Sequence, residues 1–352
     1  MPVFSAADAI APAISRTNRF LFHPFRLGTF LKLSLVAVIT EGLSLNLNSS
    51  HYNQVIHGGT PGTMPPMSFP GEWLGLALLA IAIFVPIAIF IFYLITRLRF
   101  AFFHCLVYQV KQIAPGWRLY REQAMRFFLL SIGVGLGFFA VVVLCALPFV
   151  SGFIKLFREM QQGTPFDWGG FIALFLPLLL VLLVLALLGW MTDVILRDLM
   201  LPHIALENAT VGEAWGSVSA RIGADWGGFF LYGFLRLVLP IVALVAVGMV
   251  LLIPVAIITF GFAAVVAGLT ALAVNAAGFA KVMLVTIEVI IILLGVGISL
   301  FVGLFVGGPV ATAIRNYTLV FYGSRYQLLG DLLYPPAPPQ PAVGFAGAPV
   351  RS

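Results

Sequence analysis

Charge is scarce in this sequence. Asp, Glu, Lys and Arg make up 9% of 352 residues, where soluble domains carry about a quarter. Hydrophobic residues reach 61%, too much apolar surface for a soluble core of this length to hide, so a soluble fold is excluded and lipid is the expected solvent. Cysteine is rarer still. Cys105 and Cys145 are the only two, each isolated in an apolar stretch, which excludes a disulfide framework and favours small buried hydrophobes. No His-Glu-x-x-His, Gly-x-Ser-x-Gly or phosphate-loop pattern occurs, and Gly297-x-Ser299 lacks its closing glycine. The chain is therefore expected not to be an enzyme, to need no cofactor and to hold no metal. The net charge of +6 does not point to nucleic acid, because its Lys and Arg residues flank apolar runs and form no basic domain face. Membrane lipids are the expected partners, with a homo-oligomer or another membrane protein as further alternatives. No charged segment, short apolar run and small-residue cleavage site follow one another at the N-terminus, so the first apolar segment reads as a retained span.

What the chain has is long apolar runs. At about 18 or more residues such runs predict membrane-spanning helices. Six are expected, at about 27–45, 73–95, 127–150, 169–192, 227–252 and 282–308. The first is imperfect, since it contains Lys32 and Glu41. The fifth stays apolar to about Phe260, and Pro240 and Pro254 are expected to bend or end it. The fold class expected is an all-α integral membrane protein. Residues 1–26 form an amphipathic cytoplasmic N-terminus, 27–323 the six-helix membrane domain, and 324–352 a disordered cytoplasmic tail rich in Pro, Gly and Ala. Placing both termini inside puts Arg16, Arg19, Arg26, Arg97, Arg99, Arg118, Arg197, Arg221, Arg315 and Arg325 on the cytoplasmic side. Only Lys155, Arg158 and Lys281 then lie outside. That asymmetry predicts a multi-pass protein of a bacterial inner membrane with cytoplasmic ends.

After the second, fourth and sixth runs the helical pattern continues past the boundary, carrying Arg97, Arg197 and Arg315 respectively. In the first extension Arg97, His104 and Lys111 recur every seven residues, which predicts an amphipathic helix. Short Trp-containing helices are expected at Trp117 and Trp215, the latter opened by Thr210-x-x-Glu213, a capping-box pattern. The chain thus reads as three pseudo-repeated hairpins with amphipathic cytoplasmic flanks. The run from His23 to Leu33 (HPFRLGTFLKL), the run from Ile195 to Glu207 (ILRDLMLPHIALE) and Glu213-Ala214-Trp215 resemble a family of uncharacterised prokaryotic membrane proteins. That family is similar to the membrane domain attached to some glycerophosphodiester phosphodiesterases. The resemblance implies a six-helix membrane module and assigns no catalytic or ligand residue. No phosphodiesterase domain is present, so hydrolysis is not implied.

Ionisable groups inside a span are costly and mark functional candidates. Glu41 and Glu288 are placed at similar depth by the six-span reading and are candidate interior polar groups that could share a cavity and bind a cation or proton. The alternative for Glu288 is a boundary carboxylate paired with Lys281. Lys32 and Arg236 are expected to snorkel to the interface. Asp193 and Arg197, four residues apart, are expected to pair on the helix surface, and with Arg97 and Arg315 they mark the cytoplasmic boundary. His104 and His203 have no second ligand at metal spacing. Gly295, Ser299, Gly303, Gly307 and Ala311 recur every four residues in the sixth run, a helix-packing stripe. Two readings of function follow: a module that binds or transports a lipid or small solute, and a non-catalytic scaffold or accessory protein.

Overall fold

A computed structural model describes residues 3–42, 71–162 and 167–335. Among the described residues every regular element is a helix. In chain order these are α1 (Ile10–Phe22), α2 (Leu27–Ala37), α3 (Gly71–Tyr108), α4 (Ile113–Leu119), α5 (Arg121–Gln161), α6 (Trp168–Val194), α7 (Leu201–Leu206), α8 (Val211–Ala224), α9 (Trp226–Asn275), α10 (Gly278–Gly323) and α11 (Gln327–Leu333). Two π-helical stretches, Val38–Gly42 after α2 and Ile195–Met200 between α6 and α7, widen the spiral locally.

Five described helices are long and apolar enough to cross a membrane: Leu78–Tyr108, Arg121–Gln161, Trp168–Leu206, Trp226–Asn275 and Gly278–Gly323. Their shafts expose apolar side chains on every face, as at Phe84, Leu136, Leu183, Val245 and Leu293. A helix apolar all round is stable only where its surroundings are apolar too. The chain is a helical membrane protein. The first expected run contributes Leu27–Gly42 to the described residues, and Leu43–Leu45 lie outside them. At 1.5 Å per residue its described part is roughly 24 Å long, short of a hydrocarbon core of about 30 Å.

The packed core gathers at one end of the bundle, where the last thirds of α3 and α10 meet α7, α1 and α11. Phe100, Phe103, Leu106, Leu201, Leu319 and Phe321 are all fully buried there. This corrects the expectation of an amphipathic helix around Arg97, His104 and Lys111. Arg97 lies over the Trp117 ring at 4.3 Å and donates to the Trp117 carbonyl, while Lys111 Nζ donates to the carbonyls of His23 and Pro24. A Cβ on Gly116 would sit 2.9 Å from His104 Cβ, so α4 lies almost backbone to backbone on α3. The polar stripe is thus covered by α4 and the N-terminal turn.

Two further expectations change. Pro240 and Pro254 do not end the fifth helix, since α9 runs unbroken through both to Asn275. It then turns into α10, and Phe262 packs on Gly295. Neighbouring helices and local adjustment tolerate proline within membrane helices. The tail also begins later than residue 324. The apolar residues Leu329 and Leu333 recur at helical spacing, and α11 buries both, Leu333 reaching Gly323. The rest of the expected tail, residues 336–352, lies outside the described residues. The capping box of α8 is formed: the Thr210 N–H donates to Glu213 at 2.8 Å, and Thr210 Oγ1 accepts from the Glu213 N–H at 3.4 Å.

Candidate functional site

Where the apolar shafts meet the packed end, six segments deliver charged side chains to one place, Asp193 coming from the end of α6. Both π-helical stretches contribute a buried carboxylate, Glu41 from the first and Asp198 from the second. A π-helical turn shifts the side-chain register, and such turns recur at functional sites. α9 supplies Tyr232 and Arg236, one turn apart on the same face, and α10 supplies Arg315 and Thr318. α3 brings Arg99 to the edge.

The geometry is dense. Arg197 Nη2 donates to Glu41 Oε2 at 2.6 Å and Arg197 Nη1 to Asp193 Oδ2 at 2.9 Å. Arg236 Nε donates to Asp198 Oδ2 at 2.9 Å, and its Nη2 reaches Glu41 Oε2 at 3.3 Å. Arg315 Nη1 donates to Asp198 Oδ1 at 2.7 Å and to the Arg197 carbonyl at 3.1 Å. Its Nε stands 3.8 Å from Glu41 Oε1. Tyr232 donates to Asp198 Oδ2 at 2.9 Å, and its oxygen lies 3.0 Å from Thr318 Oγ1. Glu41, Arg197, Asp198, Arg236 and Arg315 are all at most 8% exposed. Isolated charges at such burial cost several kcal/mol each, and the mutual pairing offsets that cost.

The cluster does not balance. Four guanidiniums (Arg99, Arg197, Arg236, Arg315) face three carboxylates (Glu41, Asp193, Asp198). Arg99 makes no ion pair among the described residues. Its Nε reaches only the Thr40 carbonyl, at 3.3 Å. Two hollows open on the cluster. One, of about 200 Å³ between α3, α5 and α6, is lined by Arg99, Asp193, Arg197 and apolar side chains including Phe92 and Phe138. The other, of about 40 Å³, lies between Trp190, Asp193, Arg197, Asp198, Arg236 and Pro240. Among the described residues no three His, Cys, Asp or Glu side chains gather where a metal ion could sit. Glu41 and Asp198 are already engaged by arginines.

A profile of a family of unknown function, DUF7544, matches residues 4–332. The chain belongs to that family. No curated protein and no solved structure matches the chain. The DUF7544 match covers every segment that builds the charged cluster.

The sequence-predicted residues divide sharply in this DUF7544 chain. Glu41 lies at the centre of the cluster. Glu288 does not join it. Glu288 is near the start of α10, accepts from Thr270 Oγ1 at 2.7 Å, and forms no ion pair with Lys281 among the described residues. Arg315, which touches Glu41, is twenty-seven residues further along α10, roughly 40 Å away at helical rise. The shared cavity is therefore corrected. The depth estimate failed because Glu41 pairs with the far end of α10. Arg197 and Arg315 are buried members of the network, so the Asp193–Arg197 pair, which forms at the expected spacing, has only its Asp193 end on the surface. Arg236 does not snorkel, because Asp198 and Glu41 hold it inside; Lys32 is exposed. His203 is fully buried, 2.7 Å from Tyr322 Oη and 3.0 Å from Glu207.

The small-residue stripe is split. Gly307 meets Val38, Ala311 is buried and Gly295 touches Phe262, but Gly303 has nothing within 4 Å, and Ser299 bonds only to its own helix at Gly295. The tightest approach falls beside the stripe, where a Cβ on Gly308 would lie 2.2 Å from Ser34 Cβ. A four-residue repeat assumes one straight seam, whereas α2 is short and meets α10 at points such as Phe30 on Phe305 and Ser34 on Gly308. Sequence reasoning missed Asp198, Tyr232 and Arg99. A signal was present, since Asp198 and Arg236 are opposite charges in apolar runs with no complete local pairing.

Proposed function

We propose that this DUF7544 protein binds an amphiphile, a membrane lipid or a lipid-like solute, in the helix-lined hollows beside the charged cluster. One observation carries the reading. An excess guanidinium, Arg99, borders a hollow whose remaining walls are largely aromatic and aliphatic. Binding sites for small ligands combine an apolar lining with a few placed polar groups, and about 300–1,000 Å³ is usual for drug-sized ligands. At about 200 Å³ the hollow is too small for a whole lipid. It suits a headgroup whose chains remain in the bilayer.

The reading is non-catalytic, with lipids as the partner. It takes the protein as a multi-pass inner-membrane chain with six crossings in three hairpins and both termini cytoplasmic, which the Lys and Arg distribution supports. Kinship with the membrane domain attached to some glycerophosphodiester phosphodiesterases belongs to the same proposal. Binding is favoured over transport, since Glu41, Asp198 and their arginines tie α2, α6, α9 and α10 together. The test is native mass spectrometry and thermal melting of the full chain in mild detergent, with zwitterionic lipid, anionic lipid and water-soluble anions added separately. Lipid should be retained and should raise the melting midpoint. A chain that retains no lipid and is stabilised by none would end the reading.

A further inference from the structure

The hollow between α3, α5 and α6 is more specific than an apolar cleft. We propose that it is an oxyanion site for a phosphate group, with Arg99 as its principal ligand and Arg197 at its inner wall; this rests on the amphiphile-binding reading and names the chemistry recognised.

Three observations converge. Arg99 is the guanidinium left over when the cluster's charges are paired, and its long bond to the Thr40 carbonyl leaves both terminal nitrogens without a partner among the described residues. Arg197, 2% exposed, also lines the hollow, and its Nε is buried with no hydrogen-bond partner. A buried donor left unmade is costly, so the Arg197 guanidinium keeps hydrogen-bonding capacity beyond the carboxylates it already meets. Finally, Ser131 and Thr192 on the same walls direct their hydroxyl protons to the carbonyls of Phe127 and Leu188. They do not compete as anion donors, and the arginines dominate recognition.

Phosphate fits this set better than a halide or a carbocyclic ligand does. The planar guanidinium fork matches two oxygens at once, and charge-assisted bonds of this kind are about twice as strong as neutral ones. Asp193 also borders the hollow, but one of its oxygens is held by Arg197 Nη1 at 2.9 Å. The four-to-three charge count already includes it. Phe92, Phe127 and Phe138 form apolar walls of the hollow against which a glycerol backbone or chain root would pack.

The experiment measures binding to the full chain, purified and delipidated in mild detergent. The probes are dioleoyl phosphatidic acid, dioleoylglycerol (the same chains without phosphate) and inorganic phosphate, and the chains compared are wild type, Arg99→Gln and Gly135→Leu. A Cβ on Gly135 meets nothing within 4 Å and Gly135 lines the hollow, so leucine there adds apolar bulk to the wall and leaves every charged residue in the sequence. Phosphatidic acid should bind wild type and lose about tenfold to a hundredfold in affinity in Arg99→Gln, the range for losing a hydrogen bond to a charged group. Gly135→Leu should weaken it too, which keeps the test decisive if the arginine variant folds poorly. If dioleoylglycerol binds as tightly as phosphatidic acid, and Arg99→Gln binds both as wild type does while Gly135→Leu weakens both, the phosphate site is refuted and the amphiphile reading stands; if neither variant changes binding, both fall. If inorganic phosphate alone binds as tightly as phosphatidic acid and needs Arg99, the oxyanion site stands and the amphiphile reading falls. If no probe binds, both fall.

Discussion

Replacing Asp198 by Asn tests whether the buried cluster holds the helices together. Asp198 is 0% exposed and accepts from Arg236 at 2.9 Å, Arg315 at 2.7 Å and Tyr232 at 2.9 Å. The substitution keeps the shape but deletes the charge, leaving Glu41, among the described residues, as the one buried carboxylate facing three buried arginines. It also turns one oxygen, an acceptor, into a donor facing other donors. Removing one partner of a buried ion pair costs about 3–5 kcal/mol, because the remaining charge stays desolvated. At 1.4 kcal/mol per factor of ten, the open fraction should rise by roughly two to nearly four orders of magnitude. Cys105 is a built-in reporter, being fully buried in the packed end. In a Cys145→Ala background, a maleimide dye should label Cys105 far faster in Asp198→Asn than in the parent. The control is Asp193→Asn, which removes a carboxylate 44% exposed and should cost less than Asp198→Asn, because Arg197 keeps its bond to Glu41 and water reaches the replaced group. If both variants protect Cys105 equally, the cluster is not what fastens the segments.

Three further outcomes are expected. Gly308→Ala should destabilise the protein by about 1–3 kcal/mol, since Ser34 backbone lies 2.6 Å from the added carbon, whereas Gly303→Leu should be neutral within about 0.5 kcal/mol; equal melting midpoints in detergent would contradict the close seam. Asp225 titrates below the usual carboxylate range, held down chiefly by its hydrogen bond from Arg325, which outweighs the opposing desolvation, with a lesser contribution from the Gly228 N–H. Its stabilisation is therefore complete above the ordinary carboxylate pKa of about 3.9 and is lost as pH falls through the lowered folded value; acid melts should show wild type losing stability below about pH 4 more steeply than Asp225→Asn, and parallel curves would refute the linkage. Reporter fusions at Gln162 and Ser352 should read outside and inside respectively, and an outward-facing Ser352 would overturn the proposed topology.

Local pattern alone determined the class of this protein, the position of most of its long helices and a few short-range bonds. Hydropathy averages over many residues, so the shafts of α3, α5, α6, α9 and α10 were legible without any tertiary information. The Thr210–Glu213 capping box and the Asp193–Arg197 pair lie within one helical turn, where spacing by itself fixes contact. Helix ends were read less well. Proline in α9 and the leucines of α11 take their meaning from neighbours that a local window does not contain.

The site was decided by tertiary structure. An arginine just past an apolar run has the same local sequence whether it snorkels to water or enters a buried network, so Arg197, Arg236 and Arg315 read as boundary residues. Their burial depends on Glu41, which is 156 residues from Arg197 and 195 from Arg236. Glu41 was singled out because a carboxylate in an apolar run is expensive wherever it goes, but its partners were misjudged. Depth had been inferred by counting along a span, whereas α2 ends in a π-helical turn against the packed end of α10. Pairing energy between charges depends on distance in space and on the dielectric between them, and neither is written into the order of residues along the chain.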